Sequence, residues 1–312
     1  MGCVNQTIVT EFFLIGLSQD PRTEILLFIL FFTMYLLTIF GNIILIYTVT
    51  TNPQMHTPMY YFLCNLSVLD LFYSSTTVPK MLLDMLSIGG GRISLLGCLT
   101  QMCTYIFLGE IECILLAVMA YDRYVAICFP LRYKVIMSWK LCKNITVLIW
   151  VGSCIFSTLP TNLRPPVFCK GNRIDHFICE VIALVKLVCG DTSFYETIIF
   201  SGSLFTLLVP FLCVITSYTF IIHSILKINS AGGRTKSFST CASHLAVVLM
   251  FYGTSTAMYL GPLKNTSRNQ KYIAIIYGIV TPMVNPFIYS LRNKDVKETA
   301  LKILKMECFH NR

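Results

Sequence analysis

Charged residues are scarce in this sequence: they make up 12% of its 312 residues, whereas 55% are hydrophobic. Soluble globular domains usually carry about 25% charged residues. This composition, together with a mean hydropathy of +0.69, indicates a membrane protein. The formal net charge is +9, but the basic residues are scattered over several loops, as expected for positive cytoplasmic loops. We therefore expect membrane lipid, and no nucleic acid, as a partner.

The sequence also lacks the motifs of competing functions. It contains neither His-Glu-x-x-His nor Gly-x-Ser-x-Gly, which argues against an intramembrane enzyme. A transporter with discontinuous helices would account for the prolines inside apolar segments, Pro210, Pro282 and Pro286. Such transporters are commonly built from inverted repeats, and we see no half-to-half symmetry. We therefore disfavour a transporter.

Seven segments have the length of about 20 mostly apolar residues that a membrane-spanning helix needs. They are 25–49, 59–83, 98–127, 144–163, 197–226, 237–263 and 272–291. The predicted fold is an all-α membrane protein, a seven-transmembrane helix bundle over 25–291 that follows an N-terminal segment, 1–24. In the tail, 292–312, apolar residues on one face of 293–305 predict a short amphipathic helix on the membrane surface.

The distribution of lysine and arginine predicts the orientation of the bundle. The loops on the side of the C-terminus hold more of the 24 basic residues than the opposite side, which favours a cytoplasmic C-terminus and an extracellular N-terminus. The sequon at Asn5 is then a glycosylation site in a plasma-membrane protein.

Besides Cys3 in the N-terminal segment, four cysteines lie on the predicted outer side. Cys98 opens the third span, and Cys169, Cys179 and Cys189 follow at intervals of ten residues in the long loop before the fifth span. Four cysteines allow three pairings, and the sequence alone does not choose among them. A bridge from Cys98 to this loop would hold the loop across the mouth of the bundle.

Two groups of charged residues lie within or at the ends of spans. Asp122 and Arg123 are adjacent at the end of an apolar run. A structural interpretation, in which the Arg123 side chain reaches the lipid headgroups, would explain Arg123 but not Asp122. Asp70 and Glu112 lie in mid-span, and no Lys or Arg is at their depth. Two neighbouring carboxylates make either a cation site or a protonated, hydrogen-bonded pair without metal.

Polar residues at helical spacing predict a ligand pocket in the outer half of the bundle, because polar stripes in membrane helices turn away from lipid. The alternative is hydrogen bonding between helices. Glu110 is the least clear member, since it could attract a ligand or pair with another helix. The candidate residues are Tyr105, Ile106, Gly109, Glu110 and Cys113 in the third span, Gly202, Ser203 and Thr206 in the fifth, and Tyr252, Ser255, Thr256 and Tyr259 in the sixth.

Five motifs, in order along the chain, carry a resemblance to a known family. They are 55–63 (MHTPMYYFL), 119–128 (MAYDRYVAIC), Ser217-Tyr218, 236–245 (KSFSTCASHL) and 282–296 (PMVNPFIYSLRNKDV). Seven spans with these motifs resemble the rhodopsin-like G-protein-coupled receptors, and within them the olfactory receptors. One departure is Ser237, where that family usually has Ala.

The resemblance implies a receptor, not an enzyme, that binds small volatile molecules. The mostly apolar candidate pocket with its Tyr, Ser and Thr residues favours weakly polar ligands such as alcohols, ketones or esters. It implies activation of the olfactory stimulatory G protein and a rise in cyclic AMP. It also implies disulfide bonds between Cys98 and Cys179 and between Cys169 and Cys189.

The resemblance further implies a switch at the cytoplasmic end. Asp122 would hold Arg123 in the resting state, and activation would turn Arg123 toward Tyr218, with Tyr289 as a second phenol partner. The switch residues are Asp122, Arg123, Tyr124, Tyr218, Asn285, Pro286 and Tyr289. Asp70 and Glu112 would face each other around a sodium ion, and we expect no other cofactor.

Overall fold

A computed structural model describes residues 9–18, 20–87, 91–227, 231–260 and 267–290. Seven long helices follow one another in these ranges, and each overlaps one of the seven predicted spans, so the predicted seven-helix fold is confirmed. The predicted tail helix, 293–305, and the sequon at Asn5 lie outside the described residues. The helices are α1 (Pro21–Thr51), α2 (Pro58–Met85), α3 (Leu95–Cys128), α4 (Trp139–Leu163), α5 (Ser193–Leu226), α6 (Ala231–Tyr259) and α7 (Ser267–Ile275, a π-helical segment Ile276–Val280, and Thr281–Ser290).

Polar side chains fix where three of these helices begin. Asp20, Ser94 and Ser138 precede α1, α3 and α4, and each accepts a hydrogen bond from the backbone N–H three residues later. Such N-caps satisfy donors that have no partner within the helix. The caps extend the helices a few residues beyond the apolar segments that predict them.

The helices present apolar side chains to the membrane. Six helices of the described part are long and apolar enough to span a bilayer, and many of their large side chains are exposed, such as Leu26 (69%) and Leu148 (71%). An apolar surface of this extent is typical of contact with lipid. α2 is long enough to span as well, but it is more polar because it carries Asp70, Lys80 and Asp84.

One end of the bundle carries a small three-stranded sheet, and we call it the sheet end. β1 (Glu11–Leu14) lies in the middle, antiparallel to β2 (Gly91–Ser94) and parallel to β3 (Arg173–Ile174). Phe12 and Leu14 of β1 are fully buried in an apolar cluster of the sheet end. The sequence analysis did not predict these strands.

Two disulfide bonds tie the long loop between α4 and α5 to the sheet end. Cys98 bonds to Cys179, and Cys169 bonds to Cys189 within the loop. These are the two pairings that the resemblance implied, and both are confirmed. The first bond anchors the loop to the start of α3, so the loop crosses the mouth of the bundle and carries a short helix, Val181–Val185.

Candidate ligand cavity and charge cluster

A cavity of about 150 Å³ lies inside the bundle beneath the long loop. Its walls come from all the long helices except α1, with α2 contributing Tyr73, and the loop helix Val181–Val185 covers it toward the sheet end. Most of the lining is apolar, with a few polar groups among the aliphatic and aromatic side chains. Enclosed sites of this kind are typical of small-molecule binding.

Most of the predicted pocket residues line this cavity. α3 provides five of them, α5 three and α6 two. They are Tyr105, Ile106, Gly109, Glu110, Cys113, Gly202, Ser203, Thr206, Ser255 and Tyr259.

Two predicted residues, Tyr252 and Thr256, lie outside the lining. Tyr252 is buried, and its hydroxyl donates a hydrogen bond to the backbone carbonyl of Cys113 at 2.7 Å. Thr256 is exposed on the surface of α6. The side of α6 that faces the cavity carries Phe251, Ser255 and Tyr259, at four-residue spacing. Two of the four residues predicted on α6 therefore lie on this face.

Other lining residues were missed by the sequence analysis. They come from α2, α4, α7 and the long loop, and include Tyr73, Phe156, Ser157, Thr161, Phe168, Leu184, Val188 and Tyr277. The loop residues could have been found from the apolar run 181–188 next to Cys179, since a bridge from Cys179 to α3 brings that run over the mouth. No local signal identifies Tyr73 or Tyr277, because each lies on a helix whose inward face depends on tertiary packing.

Three buried tyrosines pack edge to face beside the cavity. The ring centroids of Tyr73 and Tyr105 are 4.7 Å apart, and those of Tyr105 and Tyr277 are 5.2 Å apart. The Tyr73 hydroxyl donates to the Tyr105 carbonyl at 3.2 Å, and the hydroxyls of Tyr259 and Tyr277 are 3.2 Å apart. The Tyr105 hydroxyl is also buried, and it interacts with Tyr277.

Gly278 makes room for that hydroxyl. A Cβ atom at position 278 would lie 2.6 Å from the Tyr105 hydroxyl oxygen. Gly278 belongs to the π-helical segment of α7, and π-helical segments often occur at functional sites. The approach of α7 to α3 at this level therefore requires glycine.

Asp70 and Glu112 are brought together in the middle of the bundle, where both are buried and interact electrostatically. Asn285 Nδ2 donates to both Asp70 carboxylate oxygens, at 3.0 and 3.2 Å. Glu112 Oε1 and Asn285 Oδ1 are buried without a hydrogen-bond partner in the described residues, and so is Oδ1 of Asn42, whose amide donates to the Pro282 carbonyl of α7, three residues before Asn285. A set of oxygen atoms with unused lone pairs suits a hard cation.

The Asp-Arg pair lies at the opposite end of α3 from the sheet. Asp122 Oδ1 accepts a hydrogen bond from the Tyr133 hydroxyl at 2.7 Å. No ion pair within 4 Å joins Asp122 and Arg123 among the described residues, as expected for neighbours that point about 100° apart on a helix. The charge of Arg123 nevertheless acts on the Asp122 carboxyl, so the resting pair stays a prediction.

Arg123 is instead surrounded by aromatic groups. Its charge acts on Tyr218, His244 and Tyr289, and its Nε is buried without a partner in the described residues. The Tyr218 hydroxyl is 2.8 Å from His244 Nδ1. The structure thus brings Arg123 together with both phenols that were predicted to receive it.

Tyr124 and Pro286, the other predicted switch residues, make packing contacts. The Tyr124 ring packs against Phe129 and Phe220, at centroid distances of 5.6 and 5.7 Å. Pro286 is buried in α7 next to Gly41 of α1, where a Cβ atom would lie 2.9 Å from the proline ring. Tyr124 therefore links α3 to α5, and Pro286 links α7 to α1.

Two buried titratable groups lie in the long loop. Burial raises the pKa of the Glu180 carboxyl to about 7, although two backbone N–H groups donate to it. Burial, and then the charge of Lys271, lowers the pKa of His176 to about 3. The Lys271 ammonium donates to Asp175 Oδ1 and to the Gly16 carbonyl, both at 2.7 Å.

A seven-helix bundle with an enclosed cavity at one end and an Asp-Arg pair at the opposite end of α3 defines the class, a rhodopsin-like G-protein-coupled receptor. A profile of the olfactory receptor family matches residues 31–307. The chain is 43% identical over 305 residues to mouse (Mus musculus) Olfactory receptor 2A7, covering 97% of this chain and 98% of the relative. It is 46% identical to human (Homo sapiens) Olfactory receptor 1F1, covering 97% and 98% of the two chains.

A second human relative, Olfactory receptor 2K2, is 45% identical over 307 residues, which cover 98% of this chain and 97% of the relative. The chain therefore belongs to the olfactory receptor family. It is a multi-pass membrane receptor and not an enzyme.

Proposed function

We propose that this receptor binds a small volatile molecule in the cavity and, once occupied, activates the olfactory stimulatory G protein, which raises cyclic AMP. The carrying observation is the cavity itself: it lies inside the bundle beneath the long loop, is mostly apolar and has a volume of about 150 Å³. A dry protein cavity of about this size is large enough for benzene. The ligand is therefore a molecule of odorant size.

The proposed signal passes from α6 to the Asp-Arg end. Tyr252 lies one turn along α6 from the cavity residue Ser255, and its hydroxyl is bonded to α3 at Cys113. A ligand that displaces α6 would break this bond. Further along α6, His244 contacts Tyr218 of α5, next to Arg123. Movement of α6 would thereby free Arg123 and Tyr218 to contact the G protein.

We further propose that a sodium ion binds between Asp70 and Glu112. Asp70, Glu112, Asn285 and Asn42 would hold it through oxygen atoms, and three of these oxygens are buried without a described partner. A bound cation would compensate two carboxylates that otherwise lack a basic residue at their depth. The ion would then stabilise one arrangement of α2, α3 and α7.

The proposed orientation places the sheet end outside the cell and the Asp-Arg end in the cytoplasm of a plasma-membrane protein. Disulfide bonds form in oxidising compartments, and both bonds lie at the sheet end. An epitope tag before α1 should be labelled by antibody in intact cells. Labelling only after permeabilisation would overturn this orientation.

The function is tested by expressing the receptor with a cyclic AMP reporter and applying a panel of volatile molecules. Surface staining is measured in the same cells. We expect at least one panel member to raise cyclic AMP in a saturable manner. A receptor that reaches the surface and responds to no volatile molecule, whichever G protein is co-expressed, would contradict the proposal.

A further inference from the structure

Among the described residues that line the cavity, Glu110 alone carries a carboxyl group, and the proposed signalling path does not use it. Glu110 lies on α3 and is 9% exposed. No described residue donates a hydrogen bond to it or forms an ion pair with it. In this it differs from Asp70, which Asn285 binds, and from Asp122, which Tyr133 binds.

The surroundings of Glu110 supply no positive charge. The described residues that line the cavity include no lysine, arginine or histidine. An ionised carboxylate in such a site is costly unless a cation accompanies it. Since the chain supplies none in the described part, a ligand that brings its own positive charge would complete the site.

The aromatic groups beside Glu110 suit a cation as well. Tyr259 lines the same cavity, and the charge of Glu110 acts on it. Tyr105 also lines the cavity, and it lies five residues before Glu110 on α3, about 7.5 Å along the helix axis. Tyrosine faces attract ammonium groups through their negative electrostatic potential. A carboxylate with tyrosines nearby is therefore a site for a small organic cation.

The remaining cavity wall is apolar and limits the size of the ligand. The wall includes Ile106 of α3, and Leu184 and Val188 of the long loop that covers the cavity. At about 150 Å³ the cavity holds a ligand of roughly six to eight non-hydrogen atoms, judged by the cavity of similar size that binds benzene. The ligand thus combines one charged end with a short hydrocarbon body.

Building on the proposed function, we propose that the ligand class of this receptor is a small protonated aliphatic amine. Its ammonium group pairs with Glu110, and its hydrocarbon part fills the apolar remainder of the cavity. This goes against the expectation of alcohols, ketones or esters. It also places the anionic group of the pocket at residue 110, deeper along α3 than Tyr105.

The test compares amines with uncharged molecules of the same shape. Hexylamine and cyclohexylamine are applied to the receptor beside hexanol and cyclohexanol, with cyclic AMP as the readout and surface staining as the expression measure. We expect the amines to be at least tenfold more potent than the alcohols. Equal or greater potency of the alcohols overturns the amine proposal and leaves the proposed function standing, whereas silence toward these and every other volatile molecule contradicts the proposed function itself.

Variants of Glu110 give a second, independent measurement. Glu110→Gln keeps the size of the side chain and removes the charge, and we expect it to weaken the amine response about 30-fold or more, because an ammonium group loses its partner in a dry site. The alcohol responses should change less than threefold.

Glu110→Asp keeps the charge and should retain most of the amine preference, which covers the case in which Glu110→Gln fails to reach the surface. Glu196→Gln, on the exposed side of α5, is the matched control for removing an acidic residue and should respond like the wild type. An amine response unchanged in surface-expressed Glu110→Gln would overturn the proposal.

Discussion

The Tyr252 hydroxyl of α6 donates a hydrogen bond to the Cys113 carbonyl of α3 at 2.7 Å. This bond lies next to the cavity, because Cys113 lines it and Tyr252 adjoins the lining residue Phe251. It therefore connects the two helices that are proposed to move apart on activation. Tyr252 was predicted to contact the ligand, and in the structure its hydroxyl links α6 to α3.

Tyr252→Phe should raise basal signalling. The variant keeps the aromatic ring but loses a hydrogen bond worth about 1 kcal/mol, which corresponds to about a fivefold shift between the resting and active arrangements. The measurement is ligand-free cyclic AMP normalised to surface expression. Thr256→Val on the exposed side of α6 is the control and should leave the basal level unchanged. A basal level in Tyr252→Phe equal to wild type would show that the bond does not restrain α6.

Arg123→Ala should reach the cell surface and lose ligand-evoked cyclic AMP. The guanidinium acts electrostatically on Tyr218 and Tyr289, and in the proposed signal path it is the charged group that contacts the G protein, so its removal should uncouple the receptor. Surface staining and cyclic AMP are measured in the same cells. Arg92→Ala at the sheet end is the matched control, and we expect it to signal. Normal signalling by Arg123→Ala would remove Arg123 from the switch.

Replacing extracellular sodium with choline should change the ligand potency of the wild-type receptor, and Glu112→Gln should abolish this sodium dependence. The reason is that Glu112 provides one of the unpartnered oxygens of the proposed cation site. Dose–response curves in sodium and choline media measure the effect. Potency that depends on sodium equally in Glu112→Gln and wild type would exclude Glu112 as a ligand.

Gly278→Ala should weaken ligand potency at least tenfold without removing the receptor from the surface. Its methyl group would meet the Tyr105 hydroxyl at 2.6 Å, and forcing an additional carbon into a packed site typically costs about 1–3 kcal/mol. Gly253→Ala on α6 is the matched control, because nothing lies within 4 Å of a Cβ atom there. Unchanged potency in Gly278→Ala would mean that Tyr105 does not need its present position to bind ligand.

The long loop should give the receptor a pH-dependent stability. The folded pKa of Glu180, about 7, is above its ordinary value of 4.5, so the folded state holds the proton more tightly. The contribution of Glu180 is then complete below pH 4.5 and is lost as the pH rises to 7. His176 acts in the opposite direction. Its folded pKa of about 3 is below its ordinary value of 6.5, so the unfolded chain binds the proton more tightly and stability falls as the pH drops below 6.5.

Glu180→Gln separates these two effects. We expect the melting temperature of the purified variant, measured relative to wild type, to be higher at pH 7.5 than at pH 5. At pH 7.5 the wild type loses the stability that protonated Glu180 provides, whereas glutamine does not titrate. His176 remains in both proteins and cancels from the comparison. A difference in melting temperature that is the same at both pH values would show that Glu180 does not titrate in this range.

The helices and the inward position of α3 could be predicted from the sequence, because they depend on local patterns. A run of apolar residues forms a membrane helix in any context, and the α3 residues Tyr105 to Cys113 follow one continuous face. The pairing of Cys98 with Cys179 came from family resemblance, since spacing alone left three pairings open.

The rest depends on contacts between distant parts of the chain. β1 has four residues, and its partners are about 80 and 160 residues away, so no local pattern identifies it as a strand. On α6 the predicted pocket residue Tyr252 binds the Cys113 carbonyl of α3, and its neighbour Phe251 lines the cavity in its place. The hydrogen bond from the Tyr133 hydroxyl to Asp122 joins residues eleven positions apart, and no local pattern in the sequence identifies it.

The contacts of the sheet end join parts of the chain that are synthesised at different times. β1 emerges early, but Gly16, just after it, meets its partner Lys271 only 255 residues later. At a synthesis rate of about 5–20 residues per second, this interval lasts roughly 13–50 s. The two edges of β1 gain their strand partners earlier, when β2 and β3 follow about 80 and 160 residues after β1, and until then they lack the pairing that protects a strand from association with other chains. The hydrogen bond from Lys271 to Gly16 therefore completes the contacts of the sheet end only after the start of α7 has been made.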